Sequence, residues 1–233
     1  MKVCWFSGGV SSFIAGYLER DSIDEFIYCH IDNQHPDTLR FLRDCEKALG
    51  REITVIQSRY KSVENVIQQF GYITRPNVAV KCSTVLKGRV RKEWEVGKGH
   101  LEYVWGYDSG ESHRADKTVA YNPKYHHIFP LIERNLNKQD CHGMLKELGI
   151  KRPAMYDLGY SNNNCIGCVK GGIGYWNKIR VDFPEVFNRM AERERVIGAT
   201  CLNGIWLDEL DPSRGRMSEE IMEECSILCQ LNL

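Results

Sequence analysis

Two stretches hold residues whose types and spacing can do chemistry. The first is Ser7-Gly8-Gly9-Val10-Ser11-Ser12. Adjacent glycines let a backbone close on an anion, and the unpaired amides of a helix that starts there are donors for phosphate. The glycines lack the spacing of a dinucleotide fingerprint, and no Gly-Lys-Ser/Thr comes after them, so the lysine of an ordinary Walker loop is missing. A glycine turn selected only for tight packing is the plainer alternative. The second stretch is Cys165-Ile166-Gly167-Cys168, a short hairpin that can present two thiolates to one metal or work as a dithiol. Cys225 and Cys229 form a looser pair near the end of the chain.

The elements around these stretches must position them. Lys2 to Phe6 is short and apolar and runs into the glycines, after which Phe13, Ile14, Tyr17 and Leu18 recur at helical spacing. Phe26 to Ile31 is a second apolar run, succeeded by a polar turn and by Leu39, Phe41, Leu42, Cys45 and Leu49, with Gly50 as the stop. Ile53 to Ile56 predicts a third strand, Val63 to Phe70 a third helix closed by Gly71, and Leu101 to Trp105 a fourth strand. Strands alternating with helices predict an α/β fold, a parallel sheet covered on both faces. Beyond about residue 130 the strand signal fades. Irregular chain is expected there, between a helix from about Lys138 to Leu148 and another starting near Pro184, with a short polar helix in the last fifteen residues leading to Cys225. The division expected is 1–130 for the α/β unit and 131–233 for a mainly helical and irregular extension.

Composition narrows the class. The chain has 233 residues, 42% hydrophobic and 27% charged, which excludes disorder, collagen and coiled coil. Lys plus Arg and Asp plus Glu are equal at 31 each, so overall charge gives no steering toward nucleic acid or anionic membrane. No apolar run approaches the roughly 18 residues of a membrane span, and no export signal is legible, so a cytoplasmic protein without membrane partners is expected. In a reducing compartment ten cysteines are free for metal or redox work. Cys4, Cys29, Cys45, Cys141 and Cys201 sit among apolar neighbours and are expected to be small core residues.

Further motifs stand in order along the chain: Asp32-Asn33-Gln34-His35-Pro36-Asp37-Thr38, then Lys81-Cys82-Ser83-Thr84-Val85-Leu86-Lys87, Gly106-Tyr107-Asp108-Ser109-Gly110-Glu111-Ser112-His113-Arg114, Phe129-Pro130-Leu131, and Tyr156-x-x-Gly159-Tyr160 ahead of the cysteine pair. Over roughly residues 2 to 180 this order resembles the PP-loop nucleotide-binding superfamily, and within it the phosphoadenosine phosphosulfate reductase-like branch. The resemblance implies a flavodoxin-like (HUP) sheet that binds ATP or an adenylyl nucleotide, with Mg2+, at the C-terminal edge of the strands. It implies that Ser7, Gly8, Gly9, Ser11 and Ser12 hold phosphates, that the backbone of Cys29, His30 and Ile31 faces adenine with Asp32 nearby, and that Lys87, Glu111, Arg114 and Asp32 are catalytic. Lys81 and His113 lie in the same segments, and an exposed loop charge is the alternative for each polar residue. Many adenylating members carry Asp where this chain has Ser11, so a magnesium ion would depend on Asp32, Asp108 or the phosphates themselves.

The same resemblance brings Cys82 to the mouth of the nucleotide site beside Cys165 and Cys168. Three thiolates suit a [4Fe-4S] cluster, with Cys225 or Cys229 as fourth ligand or with one iron left open for exogenous sulfide; zinc and metal-free thiols are the alternatives. Glu224-Cys225 resembles the segment that carries the nucleophilic cysteine of sulfonucleotide reductases, with Ser226 in place of its glycine, and Lys81 stands where cluster-bearing reductases have a Cys-Cys pair. The function implied is adenylation of an acceptor with pyrophosphate release and then sulfur transfer, by analogy with DNA-phosphorothioation and transfer-RNA thiolation enzymes. A sulfur donor such as a cysteine desulfurase, a nucleic-acid acceptor and a homodimer are the partners that go with it. The alternatives are a sulfonucleotide reductase using Cys225 and a non-catalytic nucleotide sensor with a structural metal. Tyr175, Trp176, Lys178 and Arg180 can stack on and neutralise a single strand, or simply pack against the core.

Overall fold

The first strand, β1 (Lys2–Phe6), has a neighbour on each side, and its apolar run is buried on both faces: Val3, Cys4, Trp5 and Phe6 are all at most 5% exposed. Such continuous apolar runs are what a central parallel strand requires. The computed structural model describes residues 1–73, 80–220, 222 and 225. Around β1 it assembles β2 (Glu25–His30), β3 (Thr54–Gln57), β4 (Glu102–Val104) and β5 (His126–Ile128) into one sheet, ordered β3-β2-β1-β4-β5 with every pairing parallel.

The helices are α1 (Val10–Leu18), α2 (Asp37–Leu49), α3 (Val63–Phe70), α4 (Lys81–Ser83), α5 (Arg89–Glu95), α6 (Ser112–Tyr121), α7 (Pro130–Glu133), α8 (Lys138–Glu147), α9 (Ala154–Asp157), α10 (Ile173–Asp182) and α11 (Pro184–Ile197). Cys4, Phe6 and Tyr28 face a core shared with Phe13 of α1, Phe41 of α2 and Cys141 and Leu145 of α8. Val3, Trp5, Ile27, Cys29, Tyr103 and Trp105 face the other way, toward Val90 of α5 and Ala115 of α6. A third core joins Ile31, α3 and Leu86 to Tyr175, Trp176, Phe187 and Met190, which fastens the C-terminal helices to the end of β2. No helix among the described residues is long and apolar enough to cross a membrane.

The α/β class, the parallel sheet and the helices on both faces agree with the sequence expectation. The strand order is 3-2-1-4-5, whereas flavodoxin itself runs 2-1-3-4-5; either order leaves a switch point beside a central strand. The sequence pattern did not place β5, the short α4, α7 and α9, or α5, α6 and α10, and for three of them the reason is plain. β5 is only three residues long, and its His126 and His127 hide it from an apolar search. α6 begins within the Gly-x-x-x-x-Glu-Ser segment and is mostly polar. α10 buries Gly174, Tyr175, Trp176 and Ile179, too broad a set to leave one apolar stripe. Of the two readings of the Tyr175–Arg180 stretch, core packing holds for the rings: Tyr175 is 2% and Trp176 0% exposed, Lys178 pairs with Asp182, and Arg180 bonds the carbonyls of Leu207 and Leu210. The five cysteines expected in the core are all buried. Of the polar helix expected before Cys225, residues 219, 220 and 222 are described, and Glu219 there ends a 3-10 turn, Met217–Glu219; the rest lies outside the described residues, as do Glu224 and Cys229.

The chain between α8 and α9 is clamped onto α2 by an ion pair. Arg40 grips both oxygens of Asp37 at 2.7 and 2.9 Å and donates to the carbonyls of Lys151 and Arg152, while Asp37 also accepts the Ala154 amide at 2.8 Å. The Arg40 hydrogen bonds hold the Asp37 carboxyl below its usual range. A carboxyl lowered on folding adds stability that is complete above the ordinary aspartate range and disappears as pH falls through the depressed value. Asp37→Asn is therefore expected to cost roughly 1–3 kcal/mol near neutral pH and progressively less below about pH 4, read by urea unfolding across pH. A penalty that does not change with pH would contradict the ion-pair account.

Candidate active site

Ser7-Gly8-Gly9 turns the chain from β1 into α1. Gly8 has φ +87°, the left-handed region that favours glycine, and a Cβ there would lie 3.1 Å from Thr38 Cγ2. The Ser7 amide donates to Ser12 Oγ at 3.1 Å, the two serine hydroxyls are 2.7 Å apart, Gly9 N–H donates to Ser7 Oγ at 3.1 Å and Ser12 Oγ donates to the Gly9 carbonyl at 3.0 Å. From behind, Asn163 Nδ2 donates to the Gly8 carbonyl at 2.8 Å and to Thr38 Oγ1 at 3.0 Å. The chain leaving β4 closes on the same turn: a Cβ on Gly106 would fall 2.3 Å from Ser12 Cα.

A cavity of about 490 Å³, counting its open mouth, lies here beyond the C-terminal ends of β1 and β4, where the strand order reverses. Open α/β sheets bind ligands at this point. Its lining combines the polar Ser7, Ser12, Lys87 and Arg114 with an aromatic wall of Trp5, Trp105 and Tyr107. Arg114 is 3% exposed, pairs with Glu111 and lies over the Tyr107 ring at 4.5 Å. Asp108 and Glu111 close a capping box that fixes the start of this segment. Lys87 lies within Thr84–Gly88, a π-helical turn between α4 and α5 in which the Arg89 amide bonds the Thr84 carbonyl. The extra residue in such a turn rotates the rest of the helix about its axis, a distortion common at functional sites.

Lys87 also lines a second cavity, of about 400 Å³ counted the same way. Its walls carry Cys82, Cys165, Cys168 and Cys225, with Ile31 and Lys170. Cys165 and Cys168 are joined by Tyr175, whose hydroxyl accepts the Cys168 amide at 2.8 Å and donates to the Cys165 carbonyl at 3.1 Å. Cys225 is tied down by its backbone: its amide donates to Asn164 Oδ1 at 2.8 Å and its carbonyl accepts from Lys87 Nζ. Burial pushes the Cys165 thiol up to about 12 and the Cys29 thiol up to about 11, with the Lys87 charge pulling both down. Four cysteine sulfurs are the donor set of a [4Fe-4S] cluster or a tetrahedral zinc site, so the residues fit either group by chemistry. Among the described residues no three His, Cys, Asp or Glu side chains are grouped closely enough to hold one metal ion.

The sequence candidates thus divide. Ser7, Ser12, Lys87 and Arg114 meet at the first cavity, and Cys82, Cys165, Cys168 and Cys225 at the second. Gly8 and Gly9 shape the loop, and Ser11 is buried within α1 at 1% exposure without reaching the cavity wall. The end of β2 splits: Cys29 lines the first cavity and Ile31 the second, while His30 contacts Tyr28 and Asp32. Asp32 accepts from Gln57 at 2.7 Å and lines neither. Glu111 pairs with Arg114 and lines neither cavity. Lys81 lies over the rings of Phe70 and Tyr72, and His113 is exposed. Among the described residues no carboxylate lines the first cavity, so a magnesium ion there would be carried by ligand phosphates.

The sequence pattern did not single out the aromatic wall, Lys170 or the asparagine tract. Asn162 donates to the Met222 carbonyl, Asn163 holds the loop and Asn164 holds Cys225. Three consecutive amides beside Cys-x-x-Cys were the one signal that could have found the tract. No family model matches this chain, and no curated protein matches it. Among solved structures it is similar to a phosphoadenylyl-sulfate (PAPS) reductase from Candida auris in its phosphate complex, at 12% identity and a TM-score of 0.49, over 70% of this chain and 80% of that one. Fold and site together define a parallel α/β protein with a cationic, aromatic-walled cavity at its switch point and a thiol-lined cavity behind one shared lysine.

Proposed function

We propose that this chain is a PP-loop nucleotide-binding enzyme of the phosphoadenosine phosphosulfate reductase-like family that binds ATP, adenylates an acceptor with release of pyrophosphate, and passes sulfur to the activated acceptor. The observation that carries the proposal is Lys87, one cation forming a wall of both the phosphate-loop cavity and the four-cysteine cavity. The loop amides and the Ser7 and Ser12 hydroxyls bind phosphate, and the aromatic wall takes the base. An acceptor oxygen attacks the α-phosphorus, the bond to pyrophosphate breaks, and Lys87 and Arg114 stabilise the charge that develops. The thiol cavity lies across Lys87, and a persulfide brought by the donor would attack the adenylated atom through its outer sulfur, forming the bond to sulfur as the bond to the AMP oxygen breaks; a cavity thiol would then cleave the S–S bond, leaving sulfur on the acceptor and a disulfide for an external dithiol to reduce. A [4Fe-4S] cluster held by Cys82, Cys165, Cys168 and Cys225 would supply thiophilic iron and electrons there; zinc in the same ligands would be structural. The sulfur donor, such as a cysteine desulfurase, and a nucleic-acid acceptor belong to this proposal.

The placement of Cys225 inside the same cavity favours one competing activity. In a sulfonucleotide reductase the Cys225 thiolate would attack the sulfur of the bound sulfonucleotide, expel the nucleotide phosphate and leave a cysteine thiosulfonate for an external dithiol to reduce. The deciding assay is ATP–pyrophosphate exchange with candidate acceptors, beside thiosulfonate formation from adenylyl sulfates, in wild type and Cys225→Ser. Exchange that survives Cys225→Ser is expected. Thiosulfonate formation that Cys225→Ser abolishes, with no exchange, would establish the reductase instead.

A further inference from the structure

Asn163 is 4% exposed, and its amide is spent unevenly. Nδ2 makes the bonds to the Gly8 carbonyl and Thr38 Oγ1, while Oδ1 is buried with no partner among the described residues. A buried amide oxygen without a donor is a net cost that an apolar side chain of the same size would avoid. Packing alone therefore does not ask for an amide here; the Gly8 carbonyl does. The peptide unit is planar, so holding the Gly8 C=O also fixes the direction of the Gly9 N–H on the same plane. That N–H donates to Ser7 Oγ, and Ser7 lines the first cavity.

The other end of the linkage is two residues away. Cys165 comes directly after Asn163 and Asn164, the Ile166 amide is anchored on the Asn33 carbonyl at 2.8 Å, and Asn164 carries Cys225. A shift of the Gly8–Gly9 peptide on binding phosphate therefore pulls on a segment that has little slack before the thiols. We propose that Asn163 is a positioning residue that sets the Gly8–Gly9 peptide plane of the phosphate loop and makes nucleotide binding and the geometry of the Cys165–Cys168 turn interdependent. The inference rests on the nucleotide-binding role proposed for the loop.

The test is hydrogen–deuterium exchange with and without saturating ATP, together with ATP titration, on wild type and Asn163→Leu. In wild type, ATP slows exchange both in residues 7–12 and in residues 161–168. Asn163→Leu binds ATP about ten-fold more weakly and, once saturated, keeps the protection of 7–12 while losing that of 161–168. Asn163→Asp, which puts an oxygen where the donor was, gives the same pattern and serves where the leucine variant fails to fold. A merely structural asparagine would lower stability and leave the ATP-dependent protection of 161–168 in place. Unchanged affinity and protection in both variants overturns the proposal, as does wild type in which ATP protects 7–12 alone. Wild type that ATP does not protect anywhere overturns the nucleotide reading and this inference with it.

Discussion

Lys87→Met is expected to slow adenylation by roughly 10²–10³-fold, the loss typical when one preorganised charge-stabilising donor is removed from a buried site. Lys87 is 5% exposed, so its charge acts in a medium that screens it little, and its influence reaches Tyr28, Cys29 and Cys165. The same substitution removes the bond from Nζ to the Cys225 carbonyl. Alkylation of Cys225 by iodoacetamide should therefore accelerate in Lys87→Met, whereas Arg114→Met should impair adenylation without that change. Both effects from one substitution are the signature of a shared wall. Loss of adenylation with unaltered Cys225 labelling would mean that the two cavities work separately.

The second large effect is expected at Gly106. An added methyl group would meet Ser12 Cα at 2.3 Å and Ser12 N at 2.6 Å, and backbone cannot swing aside as a side-chain tip can. Gly106→Ala must push the end of β4 away from α1, which costs upward of about 1–3 kcal/mol as overpacking and opens the Ser7–Ser12 turn that the two elements hold between them. ATP affinity should fall with stability, and raising the ATP concentration should recover only part of the loss. Gly143→Ala is the control: it lies inside α8 with nothing within 4 Å of the new Cβ, and it should stabilise the protein by about 0.5–1 kcal/mol. Thermal and urea unfolding of the two variants separates the outcomes. Equal, small effects would mean that the close approach of β4 to the loop does not constrain the site.

Much of this could be seen in the residues. β1, the glycine turn and α1 arise from five residues of strand, two glycines and a helical repeat, because a central parallel strand must be apolar on both faces and a tight turn needs glycine. The cationic side of the site was legible because Lys87 and Arg114 stand in spaced motifs. The features that stayed hidden came from contacts between distant segments. Trp5 and Trp105 read as core and are core, and only the sheet order shows that they also form the cavity wall. The asparagine tract looks like loop because its amides satisfy backbone groups up to 155 positions away, which leaves no periodic pattern. The π-helical turn that delivers Lys87 has no composition of its own. Ser11, chosen from its place in the motif, turns into α1 because the helix begins at Val10.

A crystal structure with a non-hydrolysable ATP analogue measures the central claim most directly. The account predicts the phosphates on the Ser7–Ser12 turn, within hydrogen-bonding reach of Lys87 and Arg114, and the base against Trp5, Trp105 or Tyr107, with Cys82, Cys165 and Cys168 opening onto the far side of Lys87. A nucleotide seated elsewhere, or phosphates that leave Lys87 bonded to Cys225 and out of reach, would contradict it.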